Sequence, residues 1–524
     1  MRTTRFGYAL LGLVLTACGG GGGGGSGDGT GPAPSNGMQL SFAPGSLAAT
    51  VYQGEPDVFD VKAQAGGVLP AAGTRVNAAV IDAAGVFEYT DITRTSDTTF
   101  TGKFVLSRRL SAGTHSGALE VRVCEDDPLT CAKPVSGSPW RLRYQFNVRS
   151  QTDARELAKL PDVSNYAGSP SHNALTSATL DPSKITRRWS HERPVSDRLP
   201  ALGGGRMFVV SDGGMKLAAY SERDGSAVWG RNLDEVAISA PTFADDRLYV
   251  TTRKQQSNAW RMTLRSFDAE TGAPLASLEL GPLSDFPASP LVKDGKVYLC
   301  KIDEMFYQYA LIRADGRTLA QEWSRAFDWN DDNKALCTPA VDSRYAYVPR
   351  QNALQVIDVG SGQLAFSIPA PAGIPSISSK EAPVLGPNGR VYVNAGKGLI
   401  AFDTDKRSVA WHLETRPGQY PVARGDAVYL AHEQGFVALS AESGKLQWYW
   451  TNMIGMTNDL SDNFLIFGNH ALISNSGYTQ AVDLGTRQVV WSDQGGGALA
   501  LSPNGALYAR RQSFNVGFRV FNLN

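Results

Sequence analysis

Apolar and polar residues alternate along the chain between residues 38 and 150. One run places Trp140, Leu142, Tyr144, Phe146 and Val148 at every second position. A period of two puts one face of a β-strand against a core and leaves the other face in solvent. Turn residues such as Pro44-Gly45 and Gly137-Ser138-Pro139 separate the runs. This segment is therefore predicted to be a small all-β domain.

A longer pattern recurs eight times from Arg206 onward. Each repeat has a short first strand, a tight turn, an aromatic second strand, a third strand ending near Asp, a Gly turn and a fourth strand with Trp. The second strands begin at Met207, Leu248, Val297, Ala346, Val391, Val428, Ala471 and Leu507. Successive aromatic positions from Phe208 to Tyr429 lie 37 to 49 residues apart. Four strands at this period are typical of a propeller blade.

The last repeat stops after its third strand, Phe518–Asn522, and the missing fourth strand stands ahead of the first repeat at Ile185–Trp189. Pairing of these two segments would remove the open edges that the first and last blades otherwise present. The predicted fold is therefore all-β: a β-sandwich over 38–150, a linker over 151–183, and an eight-bladed β-propeller over 184–524 closed by an N-terminal strand.

The first residues form a separate segment. Arg2 and Arg5 precede an apolar stretch, Tyr8–Leu15, that is much shorter than the ~20 residues of a membrane-spanning helix. Leu15-Thr16-Ala17-Cys18 resembles the lipobox of bacterial lipoproteins, which implies cleavage before Cys18 and lipidation of its thiol. Residues 1–17 are thus predicted to be a signal peptide and the Gly-rich residues 18–37 a flexible tether. An ordinary signal peptide with an incidental Cys is the alternative.

Composition narrows the function. The chain has 50 basic and 50 acidic residues, and a zero net charge excludes the broad basic field of a nucleic-acid binder. No His pair has zinc-ligand spacing. Asp328–Asn333 resembles the start of an EF-hand loop, but Asn333 replaces the turn Gly and Pro339 stands where the bidentate Glu belongs. We expect no metal site and no catalytic residue.

Residues 112–139 resemble Ig-like modules of bacterial cell-surface proteins. The resemblance rests on Ala112–Gly117, the strand ending at Cys124, then Cys131 and Gly137-Ser138-Pro139. In those modules a Cys pair joins the last two strands, which implies a Cys124–Cys131 disulfide. Two free thiols are the alternative, and export favours pairing.

The phrase Asp268-Ala269-Glu270-Thr271-Gly272 and its echoes near Ser361-Gly362 and Glu442–Trp448 resemble the pyrroloquinoline-quinone-like repeat. Two groups share this repeat. Quinoprotein dehydrogenases bind the quinone and Ca²⁺ beside two adjacent cysteines, which this sequence lacks. Cofactor-free scaffolds include the propeller lipoprotein of the outer-membrane β-barrel assembly machinery. The resemblance implies a non-enzymatic scaffold without a cofactor; a quinone-dependent dehydrogenase is the alternative.

Loop lengths indicate where such a scaffold binds. Connections on one propeller face are minimal, whereas Thr252–Trp260, Ile302–Tyr307, Phe327–Leu336 and Ala370–Lys380 are predicted long loops on the other. Long loops on a rigid scaffold are where binding sites concentrate. The aromatic candidates for contacts with a partner are Trp260, Phe306, Tyr307 and Trp329. We expect a protein partner in the cell envelope and a location at the outer membrane; a surface adhesin or carbohydrate binder is a further alternative.

Cys300 and Cys337 are predicted to meet on this long-loop face. Cys300 lies near the end of a second strand, and Cys337 lies near the start of the next first strand. Both ends belong to the same face in neighbouring blades, so a disulfide is possible if the Cα atoms approach within about 7 Å. Two separate buried thiols are the alternative.

Replacing the lipobox cysteine tests the anchor. Cys18→Ala is expected to release the protein from the membrane fraction or leave it uncleaved, because the acyl chains are its predicted hold on the bilayer. Fractionation after a carbonate wash measures this. Retention of the variant in washed membranes would contradict the lipobox assignment.

Overall fold

The computed structural model describes residues 11–14 and 37–523 except for short internal segments. These are 55–56, 72–73, 97, 151–155, 162, 164–168, 192–197, 257–258, 283–288, 303–308, 328–337, 351, 375–376, 378–381, 396–397, 415–419, 433–434, 451–459, 476–477, 495 and 511–516. The chain divides into two compact units, Met1–Gln151 and Thr152–Asn524.

The first unit contains two packed sheets, in which all strand pairs but one are antiparallel. Its strands are β1 (Leu11–Val14), β2 (Met38–Ala43), β3 (Ser46–Tyr52), β4 (Val58–Gly67), β5 (Arg75–Ile81), β6 (Phe87–Arg94), β7 (Thr99–Leu106), β8 (Gly113–Cys124) and β9 (Trp140–Arg149). One sheet has the order β2-β4-β7-β6 and the other β1-β5-β8-β9-β3, in which β3 runs parallel to β9. Strand β1 belongs to the predicted signal peptide and pairs with β5.

The period-two pattern sets the core of this unit. In β9, Leu142, Tyr144, Phe146 and Val148 are buried and the residues between them are exposed. A disulfide joins Cys124, at the end of β8, to Cys131, with their Cα atoms 5.5 Å apart.

The second unit begins with β10 (Leu175–Thr176), a 3-10 turn (Pro182–Lys184) and β11 (Thr186–His191). The described residues then form eight sheets, numbered here in chain order. Sheet 1 contains β12 (Ala201–Gly203), β13 (Arg206–Ser211) and, after a 3-10 turn (Asp212–Gly214), β14 (Lys216–Ser221) and β15 (Ala227–Asn232). Sheet 2 contains β16 (Val236–Ala237), β17 (Thr242–Ala244), β18 (Arg247–Gln256), β19 (Ala259–Asp268) and β20 (Pro274–Pro282). Sheet 3 contains β21 (Leu291–Lys293), β22 (Lys296–Ile302), β23 (Tyr309–Asp315) and β24 (Gln321–Ala326).

The remaining sheets repeat this plan. Sheet 4 contains β25 (Ala340–Val341), β26 (Tyr345–Arg350), β27 (Ala353–Asp358) and β28 (Leu364–Pro369), and sheet 5 contains β29 (Val384–Leu385), β30 (Arg390–Asn394), β31 (Gly398–Asp403) and β32 (Ser408–Glu414). Sheet 6 contains β33 (Val422–Arg424), β34 (Ala427–His432), β35 (Gly435–Ser440) and β36 (Leu446–Trp450). Sheet 7 contains β37 (Leu460–Phe467), β38 (His470–Asn475), β39 (Tyr478–Asp483) and β40 (Val489–Gln494), and sheet 8 contains β41 (Leu499–Leu501), β42 (Ala506–Arg510) and β43 (Phe518–Asn522).

Strand β11 supplies the fourth strand of sheet 8. It pairs antiparallel with β43, in the order β11-β43-β42-β41. This is the pairing predicted from the truncated last repeat. It joins the start and the end of the second unit within one sheet, and the fold is that of a β-propeller-like repeat protein.

Tryptophans of the fourth strands connect successive sheets. The indole N–H of Trp229 donates to the carbonyl of Ala269 in the next sheet at 3.1 Å, and Trp323 donates to Val359 at 3.0 Å. Trp411 makes the same bond to Ala441, and Trp189 of β11 makes it to Glu222 of sheet 1 at 2.9 Å. Because the last bond runs from sheet 8 to sheet 1, the same contact that repeats along the chain also closes the ring.

In two of these contacts the Asp-x-x-Thr/Ser-Gly phrase forms the turn that receives the tryptophan, whereas Trp411 and Trp189 meet turns that begin with Ser440 and Ser221. Oδ1 of Asp358 accepts hydrogen bonds from the backbone N–H and the hydroxyl of Ser361, both at 2.8 Å. Gly362 follows with φ 71° and lies against the Trp323 ring. A side chain at this position would both favour another backbone conformation and meet the indole. The repeated Asp, Gly and Trp thus belong to one contact.

The segment predicted as a linker differs from that expectation. Residues from 152 belong to the second unit, and Leu160, Val163, Ala174 and Leu180 pack against its core. Strand β10 pairs parallel with β37 of sheet 7. Alternation is too short here to predict strands, yet the apolar side chains find a partner in the sheets.

Two glycine substitutions test the tryptophan contact. A Cβ at Gly362 would lie 2.7 Å from the Trp323 ring, whereas a Cβ at Gly295, which has nearly the same φ of 69°, would meet nothing within 4 Å. Both Ala variants carry a left-handed residue at a cost of about 1 kcal/mol, and Gly362→Ala is expected to cost about 1–3 kcal/mol more through overpacking. Urea unfolding followed by tryptophan fluorescence measures the difference. Equal stability of the two variants would contradict the assigned role.

Candidate functional site

The two ends of the sheets differ in their connections. Turns between first and second strands are short: residues 245–246, 294–295 and 425–426 complete three of them. At the other end, the chain needs residues 327–339 to pass from β24 to β25 and residues 451–459 to pass from β36 to β37. We call this end the long-loop face. The asymmetry follows from where the sequence places its turn residues, and it makes this face the candidate binding surface.

One predicted loop on this face is largely strand. Residues 252–260 were expected to be a loop, but β18 extends to Gln256 and β19 begins at Ala259. The two ten-residue strands form a hairpin in which Gln255 lies opposite Trp260. Backbone pairing along the full length of both strands replaces the expected loop with a hairpin.

Trp260 lies near the tip of this hairpin. Its side chain is 39% exposed, and the Arg253 guanidinium stands 4.7 Å from the ring centroid. At the base of the hairpin, Arg265 forms an ion pair with Asp234 at 2.5 Å. The hydrogen bond from Arg265 lowers the pKa of Asp234. The Trp260 ring is therefore a partly exposed aromatic surface in a cation–π contact with the Arg253 guanidinium.

The other predicted site residues stand as follows. Phe306, Tyr307, Trp329, Cys337 and Cys18 lie outside the described residues. The resemblance of Asp328–Asn333 to an EF-hand also falls there. Cys300 lies in β22 opposite Leu311, is 9% exposed and is disulfide-bonded. Its pairing with Cys337 stays a prediction.

The first strands of the sheets border a channel, and the segment that occupies it was not predicted from the sequence. First strands of neighbouring sheets lie side by side, as β12, β17 and β21 do. Their channel-facing edges receive residues 169–176. The amides of Val341 and Leu385 donate to the carbonyls of Pro170 and Ser171 at 2.7 and 2.9 Å. In the sequence, only the apolar residues of the predicted linker indicated that this segment packs against the sheets.

A cavity of about 210 Å³ remains beside this segment. Val163, Ser169 and Pro170 form one wall, and residues from sheets 8, 1 and 2 form the others, including Thr242 and Phe243. The lining is mixed in polarity.

Charged side chains are buried where sheets 7, 8 and 1 meet. Asp493 of sheet 7 binds Arg187 at 2.8 Å and Arg519 at 2.9 Å. Glu222 of sheet 1 accepts hydrogen bonds from Asn504 at 2.6 Å and Tyr508 at 3.2 Å. Burial raises the pKa of Glu222, and hydrogen bonds from sheet 8 oppose that rise. Each carboxylate is matched by partners from the adjoining sheet, which is typical of a structural rather than a reactive group.

A quinone-and-calcium site requires a cluster of metal-ligating side chains. Within the part of the chain that the structure describes, one group of three such residues occurs: Cys124, Asp126 and Cys131 in the first unit. Two of its members are bonded to each other. Among the described residues of the second unit, no three His, Cys, Asp or Glu side chains come together in such a group.

Comparison with known proteins identifies the repeat. A family model described as outer membrane protein assembly factor BamB matches residues 178–299, 261–450 and 313–512. The chain belongs to this family. No curated protein matches the chain. Among the residues that the structure covers, no helix is long and apolar enough to cross a membrane.

Several solved structures are similar to this chain. BamB from Moraxella catarrhalis is similar with a TM-score of 0.50 and 18% identity, over 64% of this chain and 99% of that one. The computationally designed Ika8 protein has a TM-score of 0.48 and 13% identity, over 67% of this chain and 99% of that one. Quinohemoprotein alcohol dehydrogenase from Comamonas testosteroni has a TM-score of 0.40 and 11% identity, over 79% and 74% of the two chains. At these identities the likeness to BamB shows the fold alone.

Removal of one cysteine tests the second disulfide. The loop from Cys300 to Cys337 spans 38 residues, and its closure is expected to contribute about 4 kcal/mol in the chain-entropy model. Cys300→Ser is therefore expected to lower the melting temperature of the second unit, with Cys124→Ser as the control that affects the first. Peptide mapping without reductant identifies the linkage, and a free Cys337 thiol in the native protein would refute it.

Proposed function

We propose that this protein is a non-catalytic, lipid-anchored interaction scaffold of the bacterial outer membrane. The single observation that carries the proposal is the family match over most of the second unit. The character of that family, an outer membrane protein assembly factor, supports a protein partner in outer-membrane assembly. The lipobox-like Leu15–Cys18 supports the lipid anchor.

The proposed architecture is an Ig-like sandwich followed by an eight-bladed propeller. The sheet order β2-β4-β7-β6 opposite β5-β8-β9 supports the first assignment, because it reproduces the ABED and CFG sheets of an Ig-like domain. Eight successive sheets of four or five strands among the described residues, with the last completed by β11, support the second.

The partner is proposed to contact the long-loop face. The Trp260 hairpin supports this surface, since an exposed indole stacked on Arg253 offers a large amphipathic contact area at low entropic cost. A matching exposed aromatic residue stands elsewhere: Tyr449 of β36 is 38% exposed on a fourth strand. The two residues allow a controlled comparison of surfaces.

Photo-crosslinking in intact cells tests the proposed face. A photoreactive phenylalanine analogue at position 260 is expected to give a discrete adduct with an envelope protein, whereas the analogue at position 449 is not. Trp260→Ala is expected to weaken recovery of that protein about tenfold or more, if the indole is a central contact. Equal adducts from both positions, or unchanged recovery, would exclude Trp260 as the contact.

Spectroscopy of the purified protein distinguishes the enzymatic alternative. A scaffold is expected to show no quinone absorbance after purification from cells supplied with quinone and Ca²⁺. Stoichiometric bound quinone would replace the scaffold proposal by a dehydrogenase.

A further inference from the structure

The first described residues of the second unit make a series of backbone contacts with its sheets. They meet sheet 4 through Val341, sheet 5 through Leu385, sheet 7 through Ile466 and Gly468, and sheet 8 through Pro503. Each contact is a hydrogen bond of 2.7–3.2 Å between main-chain atoms. Channel-facing strand edges carry unpaired N–H and C=O groups, so an added segment satisfies them in the way an extra strand does.

Asn173 makes the most specific contact. Its side-chain amide donates to the carbonyl of Ala423 at 2.9 Å, and its side-chain oxygen accepts from the amide of the same residue at 3.0 Å. The side-chain amide of Asn173 thereby makes the two hydrogen bonds that a backbone peptide group would make, and it pairs with the edge of sheet 6. Next to it, His172 Nε2 lies 3.0 Å from the Pro339 carbonyl, which can only accept. Both side chains are buried.

This segment is more buried than an ordinary connecting loop and has no acidic or basic residues. His172, Asn173, Ala174 and Thr176 are each at most 8% exposed. Residues 169–176 read Ser-Pro-Ser-His-Asn-Ala-Leu-Thr and include no Asp, Glu, Lys or Arg. An extended, uncharged peptide is the chemistry that a wall of backbone amides and carbonyls accepts without burying an unpaired charge. The cavity of about 210 Å³ lies on the side of sheets 8, 1 and 2.

We propose that the channel-facing edges of sheets 4 to 7 form a binding site for an extended, uncharged peptide. The ligand of this site is the chain's own segment 169–176, which we call the plug. While the plug is bound, other ligands are restricted to the residual cavity and the outer surfaces. The proposal does not depend on the identity of the envelope partner.

Hydrogen exchange of the full chain tests the site. Asn173→Ala removes both bonds to Ala423, and we expect the Ala423 amide to exchange about tenfold faster, with smaller increases at Leu385 and Ile466. Amides at Tyr249 and Val250 in sheet 2 are expected to keep their rates. Asn232→Ala, on the exposed outer strand of sheet 1, is the matched control. An unchanged rate at Ala423, or a uniform increase through all sheets, would overturn the proposal.

Thiol labelling supplies a second measurement. Ala174→Cys is expected to resist maleimide in the folded protein, because Ala174 is 2% exposed. Ala227→Cys, on the exposed outer strand of sheet 1, is expected to react readily. Circular dichroism verifies that both variants are folded. Equal labelling rates would show that the plug does not occupy the channel and would refute the site.

Discussion

The second unit depends on one repeated hydrogen bond, from a tryptophan indole to a turn carbonyl in the next sheet. This hydrogen bond places geometric requirements on the turn that supplies the acceptor and on the residue that lies against the indole ring. The turn must expose a carbonyl, which Asp358 achieves by accepting hydrogen bonds from the N–H and the hydroxyl of Ser361, three residues later. In addition, a residue without a side chain must lie against the ring. Because a four-stranded sheet buries little by itself, each sheet is stabilised by apolar packing against its neighbours, and the tryptophan hydrogen bond adds to that packing. A ring of sheets is stable only if the last contact is made as well, and Trp189 makes it.

Ring closure also explains the buried charges. Arg187 and Asp493 are far apart in sequence, yet they pair where the first propeller strand meets sheets 7 and 8. Glu222 occupies the turn position where sheets 2, 4 and 6 carry Ala269, Val359 and Ala441, and its carboxylate reaches Asn504. Removing one partner of a buried pair is costly because the other is left uncompensated. Such pairs therefore favour the one register in which the two ends of the unit meet.

The faces of the propeller carry different constraints. At the short-turn face, the tryptophan contact restricts both length and composition, so function has little freedom there. At the long-loop face, sheet 2 carries the Trp260 hairpin. The channel is the third environment. Its walls are backbone edges, and the chain itself satisfies many of them.

The sequence by itself determined the strands, their grouping in fours and the closing pair, because alternation and the Asp, Gly and Trp spacing are local signals that recur in every repeat. It also indicated the Cys124–Cys131 bridge and the aromatic residue at 260. The extent of the β18–β19 hairpin was not predictable, since its polar residues resemble those of a loop. Only the tertiary structure placed residues 169–176 in the channel. Asn173 and Ala423 are 250 residues apart in the sequence. One side chain that makes the hydrogen bonds of a peptide group adds no periodic pattern from which this contact could be predicted.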